Sequence, residues 1–264
     1  MDTPELKDLI RVRYAELATA DSASAACCGP ASCCGEAAPA VAGQKSRGMG
    51  YSGADLAAVP EGANLGLGCG NPQVLAEMRP GEVVVDLGSG AGFDCFLAAR
   101  QVGPTGHVVG VDMTHEMLRK ARDNAAKVGV TNVEFRLGEI ERLPIADGVA
   151  DVVISNCVVN LAPDKAQVFR EAFRVLKSGG RVAISDVVTI APLPAELQAD
   201  PGLYCGCAAG AAPVERIGAW LAEAGFIAVR VEVKPESRKM IGTWAPELHL
   251  ENYVASAMIS ARKP

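Results

Sequence analysis

The stretch that most constrains this chain is GEVVVDLGSGAG, residues 81–92, a continuous β-branched run that ends in a glycine-rich loop. Such a run suits a strand buried on both faces of a parallel sheet, and the loop suits the turn from that strand into a helix. FDCFLAARQV is the helix that follows. The alternation then continues, with GHVVGVDM as a second strand and THEMLRKARDNAAKVG as a helix stopped at Gly129. NVEFRLGE reads as a third strand, DVVISNCVVNL as a fourth, KAQVFREAFRVLKSGG as a helix and RVAISDVVT as a fifth strand. This spacing predicts an α/β fold with a doubly wound, mostly parallel sheet. After Thr189 the pattern breaks at APLPAEL. VERIGAWLAEAG then predicts a helix, FIAVRVEVK a strand and NYVASAMISARK a closing helix, together a small α+β lid region.

Ahead of the sheet, TPELKDLIRVRYAELA places Leu6, Leu9, Ile10, Tyr14 and Leu17 at near-helical spacing. From Thr19 to about Gly50 the chain is mostly Ala, Ser, Gly, Pro and Cys, with little to bury, and is expected to be a flexible arm. The arm carries CCGPASCC, with Cys27, Cys28, Cys33 and Cys34. The expected division is an N-terminal helix and Cys-rich arm over 1–50, a cofactor domain over 51–190 and a lid over 191–264.

Composition narrows the function classes. With 25 basic against 31 acidic residues the net charge is −6, and no basic run stands out, which argues against nucleic-acid or anionic-membrane partners. MDTPELKDLI has no apolar leader core, and no run reaches the roughly 18 apolar residues of a membrane helix. The expected location is the cytoplasm. Nine cysteines, an odd number, then point to metal binding, catalysis or redox sensing rather than a disulfide framework.

In the glycine loop, Gly88, Gly90 and Gly92, with Ser89 between them, let the backbone turn sharply and let a ligand approach closely. Loops of this kind serve dinucleotides and S-adenosylmethionine alike. Asp86 favours the methyl donor, because a carboxylate is unhelpful beside a pyrophosphate but suits a sulfonium and an ammonium group. Asp112 ends the second strand where a carboxylate can take both ribose hydroxyls. LGEIERLP places an acidic residue and backbone amides where an adenine edge would sit, and the Met113 sulfur can stack on the ring.

On these residues the chain resembles the class I S-adenosylmethionine-dependent methyltransferases, and more narrowly the arsenite methyltransferases. VVDLGSGAGFDCFLAAR is shared widely in the larger group, whereas GLGCGNP, SNCVVNL and GCAAGA are more specific, and the resemblance runs from about Gly50 to the C-terminus. It implies a Rossmann-like methyltransferase fold, with Asp112 and Met113 serving ribose and adenine. It also implies that Glu139, Ile140 and Asn156 surround the adenine and the donor sulfur.

The acceptor chemistry reads from the cysteines. Transfer to oxygen or nitrogen usually needs a proton acceptor, and His107, His115 and His249 are poorly placed for that. Cys157 lies at the C-terminal end of the fourth strand, Cys69 in LGLGCGNP and Cys207 in GCAAGA. Soft thiolates select soft centres, so Cys69, Cys157 and Cys207 are the expected ligands of As(III), given as arsenite or a thiol conjugate. Arsenic held this way keeps a lone pair that attacks the sulfonium methyl in line, with alignment supplying up to roughly 7–11 kcal/mol. The family pattern favours Cys207 over Cys205, and Cys95 is assigned no role. A small thiol or thioredoxin-like reductant is the expected partner. CCGPASCC is expected to feed arsenite inward or to close a transient disulfide with Cys69. The alternatives are a methyltransferase for a quinone-like organic acceptor, and a thiol-rich protein that sequesters metalloid or zinc.

Overall fold

The computed structural model describes residues 3–19 and 39–264. The helices are α1 (Thr3–Thr19), α2 (Pro39–Gly48), α3 (Gly53–Ala57), α4 (Pro72–Ala76), α5 (Phe93–Val102), α6 (His115–Val128), α7 (Lys165–Val175), α8 (Ala195–Gln198), α9 (Pro201–Cys205), α10 (Val214–Glu223) and α11 (Arg238–Ile241). The strands are β1 (Val83–Leu87), β2 (His107–Asp112), β3 (Val133–Leu137), β4 (Ala150–Asn156), β5 (Leu176–Thr189), β6 (Ala212–Pro213), β7 (Ile227–Lys234) and β8 (Val254–Arg262). They form one sheet in the order β3-β2-β1-β4-β5-β8-β7, with β6 pairing β5 off this path. Strands β1 to β5 pair in parallel, and β8 pairs antiparallel with both β5 and β7. This is the Rossmann-like, mostly parallel sheet that the alternating pattern predicts.

The valine run of β1 shows why the strands read as unbroken apolar stretches. Val84 faces the layer of α5 and α6, against Phe96, Leu118 and Ala121, while Val85 and Leu87 face the layer of α7 and α10, against Phe169, Val175 and Leu221. Both faces of the pleat are covered, so no polar alternation survives. Each such Leu or Val contributes roughly 1.5–3 kcal/mol by leaving water. Gly129 closes α6 in the left-handed conformation at φ 66°, as a C-terminal glycine does.

Two local expectations are corrected. NYVASAMISARK does not close the chain as a helix; Val254–Arg262 is β8, inserted between β5 and β7. Its small and apolar residues are buried on both faces, so neither a period of two nor of 3.6 separates inside from outside, and the alanines misread as helical. Residues 39–48, expected in the flexible arm, are helix α2. That helix is held by tertiary packing, with Ala42 and Ser46 buried and Ser46 Oγ 3.0 Å from Asn64 Oδ1. Cys27, Cys28, Cys33 and Cys34 lie outside the described residues. Among the described residues, no helix is long and apolar enough to cross a membrane.

Candidate active site

A cleft of about 270 Å³ opens at the C-terminal ends of β1, β2 and β4, the edge where open α/β sheets collect their ligands. Asp86, Gly88, Ser89, Gly90, Asp112, Met113, Ile140, Asn156, Cys157 and Cys207 line it. The loop after β1 is drawn tight, since Gly88 N and Ser89 N both donate to Val111 O, and Gly90 N donates to Asp112 Oδ2 at 2.9 Å. Asp112 Oδ1 accepts from Thr114 N at 2.8 Å. Burial pushes the Asp112 carboxyl up, and these backbone donors oppose that rise. Gly92 sits behind the loop as the N-cap of α5 at φ 92°, where a Cβ would come within 2.8 Å of the Phe96 ring and 2.9 Å of Phe135. The Ser89 hydroxyl is buried and makes no hydrogen bond among the described residues. A glycine cradle, an orphaned hydroxyl and buried carboxylates fit a polar, cationic nucleoside ligand such as S-adenosylmethionine.

Glu139 points elsewhere. Its carboxylate pairs with Lys7 Nζ at 2.7 Å and Arg11 NH2 at 2.6 Å on α1, and the Lys7 hydrogen bond holds it below the ordinary carboxylate range. Its neighbours Gly138, Ile140 and Glu141 line the cleft in its place. Helix α1 therefore lies over the cleft, lining it with Lys7, Ile10 and Tyr14.

The three cysteines lie at the other end, but Cys69 and Cys157 group with Asp186, and Cys207 stands outside that group. Cys69, Cys157, Cys205 and Cys207 share one buried apolar cluster with Ile10, Leu161, Val187, Leu203 and Leu250. Cys69 and Cys157 are joined as a disulfide across a Cα–Cα distance of 5.8 Å, and Cys69 lies behind Cys157 rather than on the cleft wall. The Cys207 thiol donates to Cys157 O at 2.9 Å. Burial, reinforced by the Asp186 charge, pushes the Cys207 thiol well above its ordinary range. Cys157 at φ 61° and Cys207 at φ 66° both take left-handed backbone, which costs a non-glycine residue roughly 1–2 kcal/mol. Glu77, Ala228 and His249, away from the cleft, take left-handed backbone as well. Cys95, on α5, instead donates its thiol to Asp86 Oδ2 at 3.1 Å.

Asp94 and Asp186 do not stand out in the sequence, and the resemblance places Asn156 at the site. Asp94 accepts from Tyr51 Oη at 2.7 Å and Gln73 Nε2 at 2.9 Å. Asn156 binds the loop on both sides of the Cys69–Gly70 peptide, accepting from Cys69 N at 3.1 Å and donating to Gly70 O at 2.9 Å. Its amide also reaches Tyr51 Oη at 3.0 Å and Asp94 Oδ2 at 3.3 Å. Asp186, buried at 1% exposure, clusters with Cys69 and Cys157 so that their ligand atoms lie within 4.8 Å of one another. Burial pushes its carboxyl up to about 7, against donors at Val187 N and Asn160 N. Asp94, Asn156 and Asp186 stand inside FDCFLAARQV, SNCVVNL and RVAISDVVT respectively, but an acid in the first turn of a helix, such as Asp94, ordinarily reads as a solvated, dipole-favoured residue.

A family model described as a methyltransferase domain matches residues 78–225. The chain is 53% identical over 268 residues to an arsenite methyltransferase of Halobacterium salinarum, covering all of this chain and 68% of that protein. It is 40% identical over 173 residues to the arsenite methyltransferase of Homo sapiens, covering 62% of this chain but only 46% of the human one. Among solved structures, an arsenic(III) S-adenosylmethionine methyltransferase from Chlamydomonas reinhardtii aligns at a TM-score of 0.59 and 29% identity, over 83% of this chain and 73% of that one. With a glycine-loop cleft beside a cysteine cluster, and matched along its own whole length by a relative, this chain belongs to the S-adenosylmethionine-dependent arsenite methyltransferase family.

Proposed function

We propose that this chain methylates trivalent arsenic, with As(III) held by Cys69, Cys157 and Cys207 at the thiol end of the donor cleft. The observation that carries this reading is the convergence of three cysteines, far apart in sequence, in one buried apolar cluster beside the cradle. When bound, S-adenosylmethionine supplies an electrophilic methyl group on a sulfonium centre. The chain's own residues do the rest. Asp112 would hold the ribose hydroxyls, Met113 and Ile140 would flank the nucleoside, and Asn156 fixes the Cys69 loop against the donor pocket. Displacement of three hydroxyls from arsenite by three thiols releases three waters and leaves arsenic with its lone pair. The arsenic lone pair is the nucleophile, so the site needs no proton acceptor, and no histidine lines it.

The Cys69–Cys157 bond defines a resting state in which two of the three thiols are paired. A small dithiol, or a thioredoxin-like protein, opens it by exchange, delivering two electrons and two protons and leaving as its own disulfide. The reaction belongs in a reducing compartment such as the cytoplasm and serves arsenic detoxification. The test incubates the protein with labelled S-adenosylmethionine, As(III) and a thiol reductant, and speciates the arsenic. Methylated arsenicals above a no-enzyme control are expected, and their absence overturns the reading. X-ray absorption on the arsenite complex of the reduced protein should count three sulfur neighbours on arsenic; two refutes the three-thiol site.

A further inference from the structure

The donor cleft holds more negative charge than its hydrogen bonds balance. Asp86 is 3% exposed and Asp94 is 7% exposed, and both face the cavity. Asp94 takes its hydrogen bonds from Tyr51, Gln73 and Asn156, and Asp86 from the Cys95 thiol, all of them neutral donors. Among the described residues neither carboxylate enters an ion pair. Of the lysines that line the same cavity, Lys7 pairs with Glu139 and Glu141, and among the described residues no ion pair joins Lys45 to Asp86 or Asp94. Burial and mutual repulsion push the Asp86 carboxyl well up, and burial raises that of Asp94. Buried carboxylates without a cationic partner are costly, and a ligand that brings a positive charge relieves that cost.

The two carboxylates are not equivalent. Asp94 is tied through the Asn156 amide to Cys69 N and Gly70 O, and Cys157 follows Asn156 directly, so Asp94 belongs to the thiol end of the cleft. For methyl transfer to occur, the charged sulfur of the donor must sit at that same end. We propose that Asp94, oriented by Tyr51, Gln73 and Asn156, is the counter-charge for the sulfonium centre, and that it makes the cleft prefer the cationic donor over its neutral thioether product. The proposal rests on the reading of this cleft as the S-adenosylmethionine site. Methyl transfer removes the positive charge from sulfur, so the carboxylate that favours the donor before transfer ceases to favour the product after it. Asp94 is thus a specificity residue that disfavours product inhibition.

The test is calorimetric titration of the reduced full chain, without arsenite, against S-adenosylmethionine and S-adenosylhomocysteine. These ligands share the nucleoside and the amino acid and differ in the charge on sulfur. The wild-type chain should bind the sulfonium on the order of ten-fold more tightly than the thioether. Asp94→Asn should bring the two affinities within about two-fold of each other by weakening the sulfonium ligand, and Asp94→Glu should restore part of the preference. Equal wild-type affinities overturn the proposal without any variant. So does an Asp94→Asn chain that loses affinity for both ligands alike, because Asp94 then serves a part they share. A wild-type chain that binds neither removes the donor-cleft reading itself, and the proposal with it.

Discussion

The half of the cleft proposed for the donor takes Asp86, Gly88, Ser89, Gly90 and Asp112 from the single span 86–112, whereas the thiol end draws on Cys69, Cys157 and Cys207 from three separate loops, with Cys69 off the cleft wall. The first is a strand, a glycine turn and a second strand, closed by short-range backbone hydrogen bonds such as Gly90 N to Asp112 Oδ2. The second has no common element and is closed by side chains, by the Asn156 amide across the Cys69 loop and by the Cys207 thiol on Cys157 O. One half is set by local geometry; the other exists only once distant segments have docked. The two should therefore respond separately to change.

The largest effect should come from Cys157→Ser or Cys207→Ser. Arsenic methylation should fall to the no-enzyme level while S-adenosylmethionine affinity stays within about two-fold, since these thiols leave the cradle of the glycine loop intact. Near-normal turnover by either variant breaks the three-thiol assignment. Leaving out the reductant should have a comparable effect on one half only: arsenite binding is lost while Cys69 and Cys157 stay paired, and donor binding is unchanged. Fluorescence or calorimetric titration of both ligands with and without dithiol measures this.

Cys69→Ser should divide the reaction itself. Methylation of inorganic arsenite should fail, but a later step on already methylated arsenic, which needs only two thiols, should survive; normal handling of inorganic arsenite would overturn the assignment. On the donor side, Asp112→Ala should weaken S-adenosylmethionine by roughly 10–100-fold, the loss of hydrogen bonds to a charged acceptor, with the sulfur count on arsenic unchanged. The smallest effects concern backbone. Gly92→Ala combines a positive φ with ring contacts below 3.0 Å and should cost roughly 1–3 kcal/mol in urea unfolding. Gly206→Ala, beside Cys207, meets only carbonyl oxygens at 3.5 and 3.6 Å, and should stay within about 0.5 kcal/mol.

Much of the donor half was legible before folding. The β-branched runs became β1 to β5, Gly129 closed α6, and Asp112 reached the end of β2 beside the glycine turn. Those signals are short-range, and the residues that carry them act within a few positions of themselves. Where burial on both faces or docking against a distant loop takes over, legibility ends. The residues of β8 alternate in neither period because both faces are covered, and α2 forms because Ala42 and Ser46 find partners beyond their own segment. Glu139 was expected at the adenine by resemblance, and two basic residues of α1 draw its carboxylate away.

The amino-acid sequence by itself determined the alternating α/β fold, the glycine cradle and the presence of thiols suited to a soft centre. These follow from branched side chains, φ-permissive glycines and ligand chemistry, all properties of single residues or short runs. Only the tertiary structure decided that Cys69 pairs with Cys157, that Asp94 stands buried without a cation, and that Asn156 joins the two halves. Those are matters of distance between residues remote in the chain, and distance is settled by how the sheet and its loops close on one another.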